Sequence, residues 1–322
     1  MALTLVEASK YSKDVLQKGV IELLTKDDPI LSKLQFKSIK GNGLTYNVET
    51  TRSGADFYDV GEVWLESTST VTPATAHTHI LGGDADVDNF LKATRSDEQD
   101  LMQEQIASKI LEIKDKFNKT ALYGYATTET KMFDGLHYLI RSTTYNTVGV
   151  ATVTGTPVAL SLERLEKAVD MIKHGKPKMI LMTKQLRRNI NKYLNAVGGI
   201  TKAEHMEESV QTLFGIELAV SDHLSDNESC DLDYDSSGQY GHQYTDGTGL
   251  GDDDNATSVF VLQFAPDAFC GIQSMPVTTE KFAKLETKDA ARVRIKWYPG
   301  IMLQNILSCS KVTGIKNDTA TV

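Results

Sequence analysis

A mixed α+β fold is the architecture this sequence predicts. Three features carry that expectation: a polar two-stranded arm between Gly41 and Leu81, a long helix ending at Tyr123, and helices alternating with short apolar strands beyond Ser161. With 322 residues, the chain can enclose two modest cores. An arm that cannot bury itself, and a helix too long for a small core, are parts suited to packing against other subunits.

The N-terminal segment reads as a helix from Leu3 to Lys26. Leu5, Ala8, Val15, Leu16, Val20, Leu23 and Leu24 repeat at helical spacing, and Gly19 weakens the pattern by about 1 kcal/mol relative to Ala. Asp27-Asp28-Pro29 stops it, because helices end before proline. Ile30, Leu31, Leu34 and Phe36 then form an apolar anchor. In the arm, Leu44, Tyr46 and Val48 alternate with Thr45, Asn47 and Glu49, the period of a strand with one apolar face. Thr51 to Asp56 reads as a loop tip. Ser67 to Leu81 is Thr-rich and suits a returning strand. A two-stranded ribbon alone is marginal in water, so it rests on something outside its own domain. Phe57 and Trp64 lie near its far end; they either pack within the ribbon or contact a neighbouring subunit.

The long helix spans residues 96–123. Ser96 and Gln99 fit capping-box spacing. Met102, Ile106, Ile110, Ile113, Phe117 and Ala121 form one apolar stripe, and no Pro or Gly interrupts it before Gly124. Such a helix is roughly 40 Å long, an architectural strut. After a Thr-, Val- and Gly-rich stretch, Ser161 opens a helix whose buried face is Leu162, Leu165, Val169 and Ile172, ended by His174-Gly175. Met179–Met182 is a short buried strand. Thr183 caps a basic helix through Tyr193, Glu207–Phe214 reads as another short helix, and Ile216–Val220 as a strand. Arg187 and Arg188 on the basic helix point in different directions, which favours charge pairing with an acidic neighbour, or solvation, over a phosphate clamp. At the C-terminal end, Val293, Ile295 and Trp297 alternate with Arg292, Arg294 and Lys296. Pro299-Gly300 reads as a turn, with Ile301, Leu303, Ile306 and Leu307 returning. The basic face of Arg292, Arg294 and Lys296 has three candidate partners: a neighbour's acidic groups, nucleic acid, or solvent.

Composition excludes several functional classes. No stretch of about 18 apolar residues predicts a membrane span. Glu7, Lys10, Lys13 and Asp14 stand where a signal peptide needs an apolar block. Cys230, Cys270 and Cys309 are odd in number and far apart, which suits a reducing cytoplasm rather than a disulfide framework or a zinc pair. The net charge of −9 argues against a dedicated nucleic-acid binder while allowing a locally basic inner face. No nucleophile elbow, P-loop or dinucleotide fingerprint is present, so an enzyme is not expected and no cofactor is implied. His77 and His79 share a strand face without an evident third ligand, and Cys270 sits in an apolar run as a buried thiol. Residues 203–280 contain no Lys or Arg, and an acidic loop spans 222–256. Within it Asp231, Asp233 and Asp235 have the spacing of a calcium loop, but Ser236 replaces the turn glycine and His242 the bidentate Glu. The loop is therefore read either as a partial cation site or as a solvated acidic surface.

Five segments, in this order, resemble the major capsid proteins of tailed phages, the Hong Kong 97-like fold. They are Met1-Ala2-Leu3-Thr4-Leu5-Val6-Glu7-Ala8, Gly41-Asn42-Gly43-Leu44-Thr45-Tyr46-Asn47, Leu81-Gly82-Gly83-Asp84-Ala85-Asp86-Val87-Asp88, Phe133-Asp134-Gly135-Leu136 and Ala291 to Gly300. The resemblance implies an N-terminal arm (1–40), an E-loop (41–82), a P-domain with spine helix (83–157), an αβ A-domain (158–290) and closing P-domain strands (291–322). It implies pentamers and hexamers of an icosahedral shell enclosing double-stranded DNA, built in the host cytoplasm and found in the virion. Implied partners are further copies of the chain, a separate scaffolding protein, portal and head-completion proteins, and DNA held non-specifically. On that view Lys10, Lys13 and Lys18 face DNA or scaffold, unless they are a solvated helix face. Two other readings stand beside it: an encapsulin-like nanocompartment shell, and a calcium-dependent binding module built on the acidic loop.

Some members of that family lock their shells with a Lys–Asn isopeptide bond from the E-loop. The tip from Thr51 to Leu65 contains no lysine. Mature particles should therefore run as monomers on a denaturing gel, and a ladder of covalent multimers would contradict this.

Overall fold

The computed structural model describes residues 3–4, 23–24, 29–51, 53–90, 101–126, 130–140, 147–149, 157–173, 175–197, 201–205, 208–226, 228, 256–282 and 289–321. Strand β1 (Leu3–Thr4) pairs antiparallel with β2 (Gln35–Ser38). The first residues of the expected N-terminal helix are thus a strand edge, and most of the remainder, Lys10, Lys13 and Lys18 included, lies outside the described residues. Pro29 opens a short helix, α1 (Pro29–Lys33), where its missing N–H costs nothing. Ile30, Leu31, Leu34 and Phe36 are all buried, as their pattern requires.

Strands β3 (Gly43–Thr51) and β4 (Thr70–His77) form a two-stranded antiparallel ribbon. Strand β5 (Leu81–Asp88) leads toward the long helix α2 (Leu101–Tyr123), which has 23 described residues, about 35 Å. Its proposed cap at Ser96 lies outside the described residues. Ile106, Ile110, Ile113, Phe117, Ala121 and Leu122 are buried along one stripe. Gly124 follows the helix without a positive φ. Space is what demands glycine here: a Cβ would strike the carbonyls of Phe133 and Thr120.

Beyond α3 (Leu136–Leu139) come β6 (Thr147–Gly149), β7 (Val158–Ser161) and α4 (Leu162–Asp170). Ser161 precedes α4 but makes no capping hydrogen bond with its side chain. Strand β8 (Met179–Met182) is followed by α5 (Lys184–Val197), where Thr183 Oγ1 accepts from the Leu186 amide at 3.3 Å as a cap should. The segment read as a short helix at 207–214 is instead the strand β10 (Glu208–Leu213), between β9 (Thr201–His205) and β11 (Ile216–Val220). Phe214 and Gly215 both have positive φ, at 54° and 75°. That is the two-residue turn that joins antiparallel strands and that a helix cannot contain.

The remaining strands are β12 (Ala256–Leu262), β13 (Phe269–Phe282), β14 (Ala290–Leu303) and β15 (Ser310–Thr321). Pro299-Gly300 is not a turn, because β14 runs through it and pairs with Gln273 and Ile272 of β13. The Pro299 carbonyl accepts from the His79 amide at 2.9 Å, beyond the point where β5 stops at Trp297. The proline's missing donor therefore falls where no ladder needs it. Gly300 lets the His77 carbonyl come close, as a Cβ would collide with it.

Two sheets result. One has the order β1-β2-β13-β14-β5, the other β6-β15-β12-β8-β11-β10-β9 with β7 also on β15. Strand β8 is buried on both faces, so it reads as a continuous apolar run. Met179 and Leu181 join the core under α2, whereas Ile180 and Met182 join a second core with Leu165, Leu186 and Ile190. The first core centres on Trp297, fully buried, with ring centroids 4.8 Å from Phe117 and 5.5 Å from Phe36. Trp297→Ala should cost about 3–5 kcal/mol. Denaturant unfolding would measure it, and a loss below about 1 kcal/mol would show that this trio is not central.

Candidate assembly interface

The ribbon is rooted firmly. Leu44, Tyr46 and Ala76 pack on Cys270, Ile272 and Met302 of the first sheet. The Thr78 amide donates to the Asn42 carbonyl at 2.9 Å, and the Tyr46 hydroxyl to the Leu303 carbonyl at 3.2 Å. Ser274 Oγ donates to the Gly41 carbonyl at 2.5 Å and lies 2.9 Å from Thr78 Oγ1. Cys270 is a buried thiol as expected, and burial pushes it up to about 11. A thiol so disfavoured as thiolate is inert at neutral pH.

The far end of the ribbon is different. Residues 53–69 contain no strand, and Phe57, Val60, Val63, Trp64 and Leu65 are 75% exposed or more. The tip nevertheless has order of its own. Tyr58 stacks on Trp64 with centroids 4.8 Å apart. The Glu62 amide donates to the Asp59 carbonyl at 3.1 Å, and Glu62 Oε2 accepts from the Asp59 amide at 2.8 Å. Gly61 takes φ +93°, which suits the turn. Trp64 thus packs on one ribbon neighbour while its bulk, and all of Phe57, faces solvent. Contiguous exposed apolar side chains of this kind mark interaction surfaces.

The other singled-out residues fall elsewhere. Arg187 and Arg188 are exposed on α5, whose opposite face buries Leu186 and Ile190. Arg292 and Arg294 find their partners within the chain. Arg292 grips Asp86 through Nε and Nη2 at 2.6 and 2.7 Å, and Arg294 grips Asp84 the same way at 2.6 and 2.7 Å. Each pair sits directly opposite across β14 and β5. The hydrogen bonds from Arg294 hold Asp84 below the usual carboxylate range. His77 and His79 both border a cavity of about 710 Å³ at the ribbon root, with Tyr46, Phe133 and Ile301. Burial, then the neighbouring His77, lowers His79 below its ordinary value. Among the described residues no three His, Cys, Asp or Glu side chains converge as a metal site. Asp231, Asp233 and Asp235 lie outside the described residues.

Sequence reading missed a buried polar cluster at the C-terminal end of α2. Tyr123, His137, Glu228, Ser258 and Lys311 meet there. Tyr123 and Glu228 are 105 positions apart, so no local pattern announces the contact. The Asp84/Asp86 and Arg292/Arg294 pairs did carry a signal, being opposite charges at the same two-residue period, although only the Arg292–Trp297 segment was read as a strand.

No curated protein matches the chain. At the level of fold it is similar to the encapsulin of the holo-SrpI complex from Synechococcus elongatus PCC 7942. That match has 14% identity and a TM-score of 0.63, covering 100% of this chain and 99% of the other. It is also similar to a chain of Mycobacterium phage Bobi, with 11% identity and a TM-score of 0.58 over 91% and 90% of the two chains. The capsid of Cyanophage P-SCSP1u matches with 11% identity and a TM-score of 0.53 over 89% and 86%. The Hong Kong 97-like architecture expected from the segment order is therefore present. A family model for SU10 major capsid proteins matches residues 7–230, more than half of the sequence. The chain belongs to the SU10 major capsid protein family and is a capsid shell protein.

Proposed function

We propose that this chain assembles into pentamers and hexamers of an icosahedral phage head enclosing double-stranded DNA. The observation that carries this reading is the ribbon: a firmly rooted arm whose apolar tip, apart from the Tyr58–Trp64 stack, stays exposed among the described residues. The ribbon, within 41–82, is the E-loop and lies over a neighbouring subunit, with Phe57 and Trp64 in contact. Each such side chain contributes roughly 1.5–3 kcal/mol when buried. Many contacts of this size let shells form reversibly before they close.

The remaining parts follow the same plan. The segment 83–157 with α2, together with 291–322, forms the P-domain plate. Residues 158–290 form the A-domain that closes the rings, where exposed Arg187 and Arg188 meet acidic groups of the adjacent copy. Residues 1–40 are the N-terminal arm, and Lys10, Lys13 and Lys18 face scaffold or DNA. Arg292 and Arg294 already neutralise Asp86 and Asp84, so this face contributes shape and register more than net charge. Assembly takes place in the host cytoplasm, with a separate scaffolding protein, a portal and head-completion proteins.

Negative-stain electron microscopy of the purified protein, alone and co-expressed with neighbouring genes, tests this reading. Closed shells or rings of five and six are expected. A discrete monomer or dimer under every condition would sink it, and shells filled with foreign protein would replace DNA packaging with a nanocompartment role. Replacing Phe57 and Trp64 together by Ala should abolish shells while leaving the far-UV circular dichroism of the monomer unchanged. Normal shells from that variant would remove the tip from the interface.

A further inference from the structure

The cluster at the end of α2 joins parts of the fold that have no other reason to share a polar site. Glu228 is 4% exposed, His137 2% and Lys311 2%. The Tyr123 hydroxyl donates to Glu228 Oε1, and the Ser258 hydroxyl to Oε2. His137 Nε2 lies 3.4 Å from Glu228 Oε1. The Tyr123 hydroxyl oxygen accepts from the Ser225 amide at 2.8 Å. Lys311 Nζ donates to the His137 carbonyl at 3.0 Å. The His137 ring is stacked on Tyr123 at 4.9 Å and meets Phe260 edge-on at 4.8 Å. Glu228 and Ala256 exchange backbone hydrogen bonds of 2.7 and 3.2 Å.

Thus α2, α3 and β12 meet on the buried carboxylate of Glu228, and β15 joins the cluster through Lys311 on the His137 carbonyl. A carboxylate at this depth stays ionised only while each oxygen keeps its donors. The titratable groups facing it are Tyr123 and His137, and those facing the imidazole are Glu228, Lys311 and the Tyr123 ring stacked on it. We propose that this cluster is a proton-operated joint between α2 and the second sheet. With Glu228 ionised and His137 neutral, the helix end, α3 and the Glu228–Ala256 bridge hold as one unit; acid releases them together.

The direction follows from the surroundings. Burial lowers His137 below its ordinary 6.5, with Lys311 adding to this and Glu228 opposing it. As pH falls through 6.5 the opened chain takes up a proton that the closed joint refuses, so closure weakens. Burial pushes Glu228 up, but His137, Ser258 and Tyr123 outweigh it and hold the group below its ordinary 4.5. Its protonation therefore removes a further share of stability at lower pH. Above 6.5 both contributions are fully present.

Hydrogen exchange of the full-length chain, corrected for the intrinsic pH dependence of exchange, tests the joint between pH 7.5 and 5.5. Peptides covering 118–126, 134–140, 222–228 and 256–260 should lose protection together below pH 6.5. The limiting slope is about tenfold per pH unit, that of one proton. The β13–β14 ladder should stay protected throughout. His137→Gln should remove the slope. If that variant fails to fold, Ser258→Ala provides the second measurement. Loss of one donor to the carboxylate should lower protection of the four regions together throughout this pH range, while the onset near 6.5, set by the opened imidazole, stays in place. Flat protection in the wild-type protein, an unchanged slope in His137→Gln, undiminished protection in Ser258→Ala, or separate release of the four regions would each overturn the proposal.

Discussion

The apolar stripe of α2 is the constraint on which the rest of the fold depends. A helix of 23 described residues with one buried face needs a long apolar floor, and neither sheet supplies it alone. Ile295 and Trp297 of β14 and Phe36 of β2 meet the stripe from the first sheet, whereas Phe260, Leu262, Met179 and Leu181 reach the same core from the second. Burial at about 25 cal/mol per Å² makes this shared core the main favourable term holding the two sheets together. The two-sided burial of β8 then transmits the packing into the second core.

A fold satisfied in this way leaves the ribbon as surplus. Its root is committed to the first sheet, but its tip carries apolar bulk into solvent. An isolated monomer gains nothing from that exposure, which is why we place the tip in the proposed contact between copies. The same logic explains the charges on β14. Arg292 and Arg294 are matched by Asp86 and Asp84 in register, so the strand pair is pinned without a net basic face. These side chains are roughly a quarter to two-fifths exposed, so their value lies in fixing register more than in raw stability.

The buried cluster at the end of α2 has a different character. Apolar packing tolerates small shifts, but a buried carboxylate with fixed donors does not. Placing one where helix, sheet and the Glu228–Ala256 bridge meet makes that point all-or-none. It ties the longest helix to the second sheet by chemistry that responds to protons, while the aromatic trio around Trp297 does not.

Local periodicity determined a large part of this protein. The stripe of α2, the alternation in β3, the four-residue run of β8 and the apolar anchor at Ile30–Phe36 were all legible, because each records burial at a fixed repeat. The order of those pieces also pointed to the shell fold. Where a local cue had two outcomes, tertiary structure decided. Glu208–Leu213 has residues that suit helix or strand, and the Phe214-Gly215 turn with its neighbour β11 made it a strand. Pro299-Gly300 looked like a turn until β13 offered a ladder that did not need the missing N–H. Arg292 and Arg294 could not be assigned partners until the register of β5 was known. The meeting of Tyr123, His137, Glu228, Ser258 and Lys311 was invisible in the sequence, since contacts such as Ser258–Glu228, Tyr123–Glu228 and Lys311–His137, 30, 105 and 174 positions apart, leave no period to read.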